Sequence, residues 1–201
     1  MIFYRGENLR RGVYVSMNSL RVIAGKARGR KLRSVPGDLT RPITDRAKES
    51  LFNILGEDIQ GAAFLDLFAG TGGVGIEALS RGAERACFIE RQAQAIETIR
   101  LNLAATGLEA GAVVLRRDAF KYLAGRPSQA YDYVFIAPPQ YQELWAQALT
   151  GLDQNPGWLS PDAWVIVQIH PVEFKELPLA NLELFDRRQY GSVLLLFFAR
   201  R

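Results

Sequence analysis

Three glycines and three acids fall at spacings that chemistry can use. Gly70-x-Gly72-x-x-Gly75 lies in DLFAGTGGVGIEAL (66–79), between an apolar run and a helical pattern. A glycine-rich turn from strand to helix lets backbone N–H groups approach a nucleotide-like ligand. Glu90 ends the next apolar run, about 20 residues further on, where an acid can accept the two hydroxyls of a ribose. Asp66 lies just before the glycines. A carboxylate there repels a pyrophosphate and favours a cation, which separates two ribose-bearing cofactors. NAD carries the pyrophosphate, whereas S-adenosylmethionine carries a sulfonium and an ammonium. Asp118 closes a third apolar run and can accept an adenine amino group, with Ala119 and Phe120 near the ring. The pattern therefore points to S-adenosylmethionine, held by Asp66, Phe68, Gly70, Gly72, Glu90, Asp118 and Ala119.

A second stretch poses a different question. VFIAPPQY (134–141) runs from four apolar residues into Pro138 and Pro139, then Gln140 and Tyr141. Two prolines fix φ and withdraw two backbone donors, so they hold a stiff, extended loop at the end of a buried strand.

The elements that must position these residues alternate along the chain. AAFLDLF, ERACFIE, GAVVLRRD, YDYVFIA and AWVIVQIH read as strands, with helical patterns between them. RQAQAIETIRLNLAATG reads as a helix stopped by Gly107, and TRPITDRAKESLFNIL (40–55) as a loop that becomes a helix capped by Thr44 or Asp45. The end of the chain, LELFDRRQY–GS–VLLLFFARR, reads as two strands joined by a tight turn. This alternation predicts an α/β fold with a mainly parallel sheet covered on both faces and one antiparallel strand.

Charge is uneven. Residues 1–50 hold 12 Lys/Arg against 4 Asp/Glu, although the whole chain is only +4. The excess sits around LRVIAGKARGRKL, which reads as a basic hairpin and suggests an acidic partner such as RNA. Residues 1–16 are polar and aperiodic and are expected to be a disordered extension, with Met17 an alternative start. The domain scheme is that extension, a hairpin over 17–39, and a catalytic domain over 40–201. One cysteine, Cys87, and one histidine, His170, exclude a disulfide framework and most zinc sites. The lack of an apolar span or a signal-peptide pattern suggests a cytoplasmic protein without membrane attachment. The chain is further expected to be monomeric and to hold no metal. Cys87 and the three tryptophans are expected to be core residues, His170 a turn residue, and Glu77 a solvent or capping charge.

RVIAGKARGRKL, RPITDRAKESLFNIL, LDLFAGTGGVGIEALSRG and FIER together resemble class I S-adenosylmethionine-dependent methyltransferases. More narrowly they resemble the bacterial family that methylates the exocyclic N2 of a guanine in small-subunit (16S) ribosomal RNA. The resemblance spans roughly Leu20 to Arg201. It implies a Rossmann-like seven-stranded sheet with its last strand antiparallel, and a substrate that is ribosomal RNA or a small-subunit assembly intermediate. It further implies that Arg41, Thr44 and Phe52 lie near the cofactor. The basic hairpin, with Arg21, Lys26, Arg28, Arg30, Lys31 and Arg33, would help to hold RNA. Removing residues 1–33 is expected to weaken RNA binding and spare the cofactor.

The same resemblance explains the proline loop. The family reads Asp-Pro-Pro-aromatic there. The side-chain acceptor and the carbonyl between the prolines bind the two N–H groups of a base amine, and the aromatic stacks on the extruded base. Here Ala137 stands at the aspartate position, and the aromatic arrives one residue late as Tyr141. Three readings stay open. Gln140 supplies the missing acceptor, beside the Pro138 carbonyl and Tyr141; or the Pro138 carbonyl and positioning suffice; or the chain is an RNA-binding relative that methylates weakly or not at all. The same loop chemistry would also serve an amino methyltransferase acting on DNA.

Overall fold

In the computed structural model, residues 20–36 and 43–201 are described. The expectations for residues 1–16, Met17 and Arg41 lie outside them. Seven strands form one sheet in the order β3-β2-β1-β4-β5-β7-β6. They are β1 (Ala63–Asp66), β2 (Arg85–Glu90), β3 (Ala112–Arg116), β4 (Tyr131–Ile136), β5 (Leu159–Ile169), β6 (Leu182–Tyr190) and β7 (Val193–Arg200). Neighbours from β3 through to β5 pair in parallel, and β7 runs antiparallel to both β5 and β6. The expected fold class is therefore the observed one.

Among the described residues, five α-helices cover the sheet: α1 (Asp45–Leu55), α2 (Gly73–Ser80), α3 (Ala93–Thr106), α4 (Ala119–Leu123) and α5 (Leu144–Gln154). Alternation along the strands divides the core in two. Phe64, Phe88, Phe135, Ile166 and Phe197 face α1–α3, while Leu65, Ile89, Val134, Val165 and Val167 face α4 and α5. Full cover holds only for the central strands. The edge strands β3 and β6 are partly or largely exposed, because each has one neighbour. Trp145 and Trp158 are buried as expected, as is Cys87, whose thiol burial pushes to a higher pKa.

The basic segment forms a short hairpin closed by an antiparallel bridge between Arg21 and Lys31. It is not an appendage. Val22, Ala27 and Leu32 are buried against the helices, and backbone bonds tie it to α2. Lys26 N donates to Ser80 O at 2.7 Å, and Ser80 Oγ donates to Ala24 O at 2.6 Å. Gly25, at φ +80°, lies so close that a Cβ would stand 1.8 Å from Ser80 O.

This docking overturns the expectation for Glu77. Its side chain is fully buried, accepting from Ile23 N at 2.8 Å and Ala24 N at 3.0 Å. It also pairs with Lys48 at 3.3 Å and with Arg81 at 2.9 Å. Lys48 Nζ in turn donates to Arg21 O at 2.6 Å. Burial lowers the Lys48 pKa, and the Glu77 carboxylate opposes that shift. Glu77 thus clamps α1, α2 and the hairpin together.

Candidate active site

The carboxyl ends of β1, β2, β4 and β5, with the loops that follow β1 to β4, enclose one cavity of about 640 Å³. That volume suits a small-molecule cofactor. The glycine turn forms its floor. Gly70 and Gly72 take φ of 53° and 75°, which L side chains rarely adopt. Gly75 serves packing, since a Cβ there would come within 2.4 Å of the Phe88 ring on β2. Gly72 does not line the cavity. It is the left-handed N-cap just before α2 and lies near Ile99 and Ile76, so its part is to shape the turn.

The three acids converge as the spacing suggests. Asp66 is only 2 % exposed and accepts from Gly75 N at 3.1 Å. Burial pushes its carboxyl up to about 7; the Gly75 N–H opposes that shift, and the nearby Glu90 charge adds to it. Glu90 accepts three backbone N–H groups, from Gly70 at 3.0 Å, Arg91 at 2.7 Å and Gln92 at 2.8 Å. Its carboxylate is thereby held at the cavity edge and joined to the glycine turn. Asp118 caps α4, accepting from Lys121 N at 3.0 Å. Phe68 and Phe120 meet edge to face at 5.9 Å, and both line the cavity with Ala119.

These residues fit S-adenosylmethionine. A buried carboxyl that resists ionisation favours a cationic ligand over a phosphate. Carboxylates on hydroxyl and amine partners, with an aromatic and apolar wall, match a ribose and an adenine. Two residues placed near the cofactor by resemblance lie elsewhere. Phe52 is 1 % exposed, stacked on Phe64 in the core with Arg81 over its ring. Thr44 caps α1 by accepting from Ala47 N at 3.3 Å. Neither lines the cavity, because α1 turns its apolar face to the sheet; Ile43 and Lys48 line it instead.

The proline loop opens on the same cavity. Ala137, Pro138, Pro139, Gln140 and Tyr141 all line it, with Pro138 buried and Tyr141 67 % exposed at the mouth. Tyr141 holds φ 62°, unusual for a residue with a Cβ. Its N–H donates to Glu173 Oε1 at 2.7 Å, and its ring centroid lies 5.8 Å from that of His170. His170 caps a 3₁₀ turn at Pro171–Glu173, as a turn residue should.

The six basic hairpin residues are all exposed. Yet the hairpin also reaches the cofactor cavity. Leu20 lines it, and Asn102 bonds both Arg33 N, at 2.7 Å, and Thr71 O in the glycine turn, at 2.9 Å. Removing residues 1–33 would therefore disturb the cofactor site, contrary to the expectation from sequence. Sequence reasoning also missed Gln168, a cavity residue whose only signal was a polar side chain inside the apolar run AWVIVQIH.

A parallel sheet with a reversed seventh strand, and a glycine turn flanked by strand-end acids, define a class I methyltransferase fold. The solved structure of yhhF from Escherichia coli superposes with a TM-score of 0.80 at 35 % identity, covering 91 % of this chain and 98 % of that one. Ribosomal RNA small subunit methyltransferase D of Escherichia coli (strain K12) is 36 % identical over 182 residues, 90 % of each chain. YlbH of Bacillus subtilis (strain 168) is 39 % identical over 186 residues, 90 % of this chain and all of that one. The family described as Conserved hypothetical protein 95 matches residues 20–199, and the chain belongs to it.

Proposed function

We propose that the protein methylates the exocyclic N2 of a guanine in small-subunit ribosomal RNA, with S-adenosylmethionine as donor. One observation carries the reading: the stiff Pro138–Pro139 loop and the exposed Tyr141 open on the cavity that holds Asp66, Glu90 and Asp118. The relative named ribosomal RNA small subunit methyltransferase D supports the choice of RNA.

Bound there, S-adenosylmethionine would supply an activated methyl group on a sulfonium, with the sulfur as leaving group. Asp66 and Glu90 would face its charged and ribose parts, with Asp118 and Ala119 toward its adenine. The chain's own task is to prepare the base. An aromatic amine is a poor nucleophile because its lone pair is shared with the ring. Acceptors on its N–H groups hold the nitrogen as it pyramidalises. The Pro138 carbonyl is one acceptor, and no N–H competes at either proline. Tyr141 offers a face for the extruded base, and Gln140 borders the same opening. The exposed hairpin cations would meet phosphates.

Mass spectrometry of small-subunit RNA from cells with and without the gene tests this. Loss of one N2-methylguanine, restored by the purified protein, is the expected result. Unchanged RNA, with binding intact, would favour the RNA-binding reading that Ala137 raises.

A further inference from the structure

Ala137 leaves the amine with one backbone acceptor and no carboxylate beside it. The sheet places another group there. β4 and β5 pair in parallel with Ile136 opposite Val167, so Ala137 and Gln168 are the next neighbours across the two strands. Parallel neighbours share a face. Phe135 and Ile166, two residues earlier on each strand, both belong to the core on the α1–α3 side. Gln168 is accordingly directed to the side of Ala137, and both line the cavity.

Gln168 is 8 % exposed, and its Oε1 is buried with no hydrogen-bond partner among the described residues. Leaving a buried amide oxygen unpaired costs about 1–3 kcal/mol, so such groups call for an explanation. Its surroundings are otherwise fitted for packing. Ile166, two residues earlier on β5, and Leu195, paired opposite Gln168 on β7, belong to the core on the same face and are fully buried. A leucine would suit this position better if packing were its only role.

We infer that Gln168 is a catalytic residue, whose Oε1 accepts one N–H of the target amine in place of the carboxylate missing at Ala137. The inference rests on the proposed amine methylation and names the acceptor for it. Gln140, the candidate from sequence, is less suited. It lies in a half-exposed turn beside the strained Tyr141, whereas Gln168 is held by strand pairing on β5. A rigid element orients an acceptor better than a solvated turn does. The two acceptors then come from adjacent strands, the Pro138 carbonyl after β4 and Gln168 on β5. An amide accepts a hydrogen bond but not the proton. The proton that the nitrogen sheds after gaining the methyl carbon goes to water at the open mouth.

The test is single-turnover methyl transfer to small-subunit RNA at saturating S-adenosylmethionine. Parent, Gln168→Leu, Gln140→Leu, and Gln168→Leu combined with Ala137→Asp are compared. Cofactor affinity is followed by calorimetry and folding by thermal melting. Gln168→Leu should be about a hundredfold slower, at unchanged cofactor affinity and equal or higher melting temperature. Adding Ala137→Asp should restore the rate to within about tenfold of the parent, because it returns an acceptor to the neighbouring strand. Gln140→Leu should have a smaller effect than Gln168→Leu. Equal rates for parent and Gln168→Leu would overturn the inference and leave the proposed function standing. So would a slow Gln168→Leu that Ala137→Asp does not rescue, or one that has lost cofactor affinity. A parent that methylates no guanine amine would instead overturn the proposed function, and the inference with it.

Discussion

Asp66 shows how one buried side chain sets the terms of binding. Its carboxyl is pushed up to about 7 by burial, so near neutrality it is a mixture of neutral and ionised forms. A cationic ligand favours the ionised form. Binding should therefore release a proton below pH 7, and affinity should rise with pH by up to about tenfold per unit before levelling above 7. For stability the sign is opposite. A raised carboxyl costs the folded state nothing below its ordinary pKa of 3.8. The cost of ionising it in place grows from there up to about pH 7. Calorimetry from pH 5.5 to 8.5 checks the binding half, and Asp66→Asn should flatten the profile while weakening binding at high pH. Asp66, Glu90 and Asp118 were legible in the sequence because each ends an apolar run. Gln168 was harder to read. Its direction depends on the register of β4 against β5, which no local pattern states.

At the scale of elements, the hairpin serves two purposes that separate by face. Arg28, Arg30 and Lys31 are exposed, whereas Val22, Ala27 and Leu32 are buried. Replacing those three cations by alanine should weaken RNA binding and flatten its salt dependence, by about one log–log unit for each phosphate no longer neutralised. Melting temperature and cofactor affinity should hardly move. Glu77→Ala should act in the opposite way. It strands Lys48 and two hairpin N–H groups in the interior, so a loss of about 3–5 kcal/mol of stability is expected in denaturant titration. The sequence showed that a basic hairpin exists but not where it docks. All of α2 is buried, because the sheet covers one side and the hairpin contributes to the cover of the other. A reading that imagines one wet helical face places Glu77 in water. Phe52 was misplaced for a related reason: a segment near the cofactor in the chain need not turn every side chain toward it.

For the whole molecule, the cavity is lined by the ends of four strands and by the loops after β1 to β4, so filling it should stiffen the centre of the sheet. S-adenosylmethionine at a hundred times its dissociation constant should add about 2.7 kcal/mol of stability, seen as a rise of roughly 5–10 °C in melting temperature. NAD at the same concentration should give none, since its pyrophosphate would face Asp66. A shift with NAD alone would contradict the cofactor assignment. The overall architecture was the most legible level of all. Strand–helix alternation is a long-range rhythm that survives errors at single positions, and the Gly191–Ser192 turn signalled the reversed strand directly.

That reversed strand also decides how the protein can be handled. β5 ends at the cavity, but β7 runs back alongside it, so Ala199 pairs with Trp164 and Arg200 Nη1 donates to Leu159 O at the far end of β5. The last residues therefore sit on the opposite rim of the sheet from Tyr141. A biotin or fluorophore attached after Arg201 should leave the mouth open to RNA, and a sensor surface coated through that end should capture full binding capacity. The same label placed at Leu20, which lines the cavity, should not.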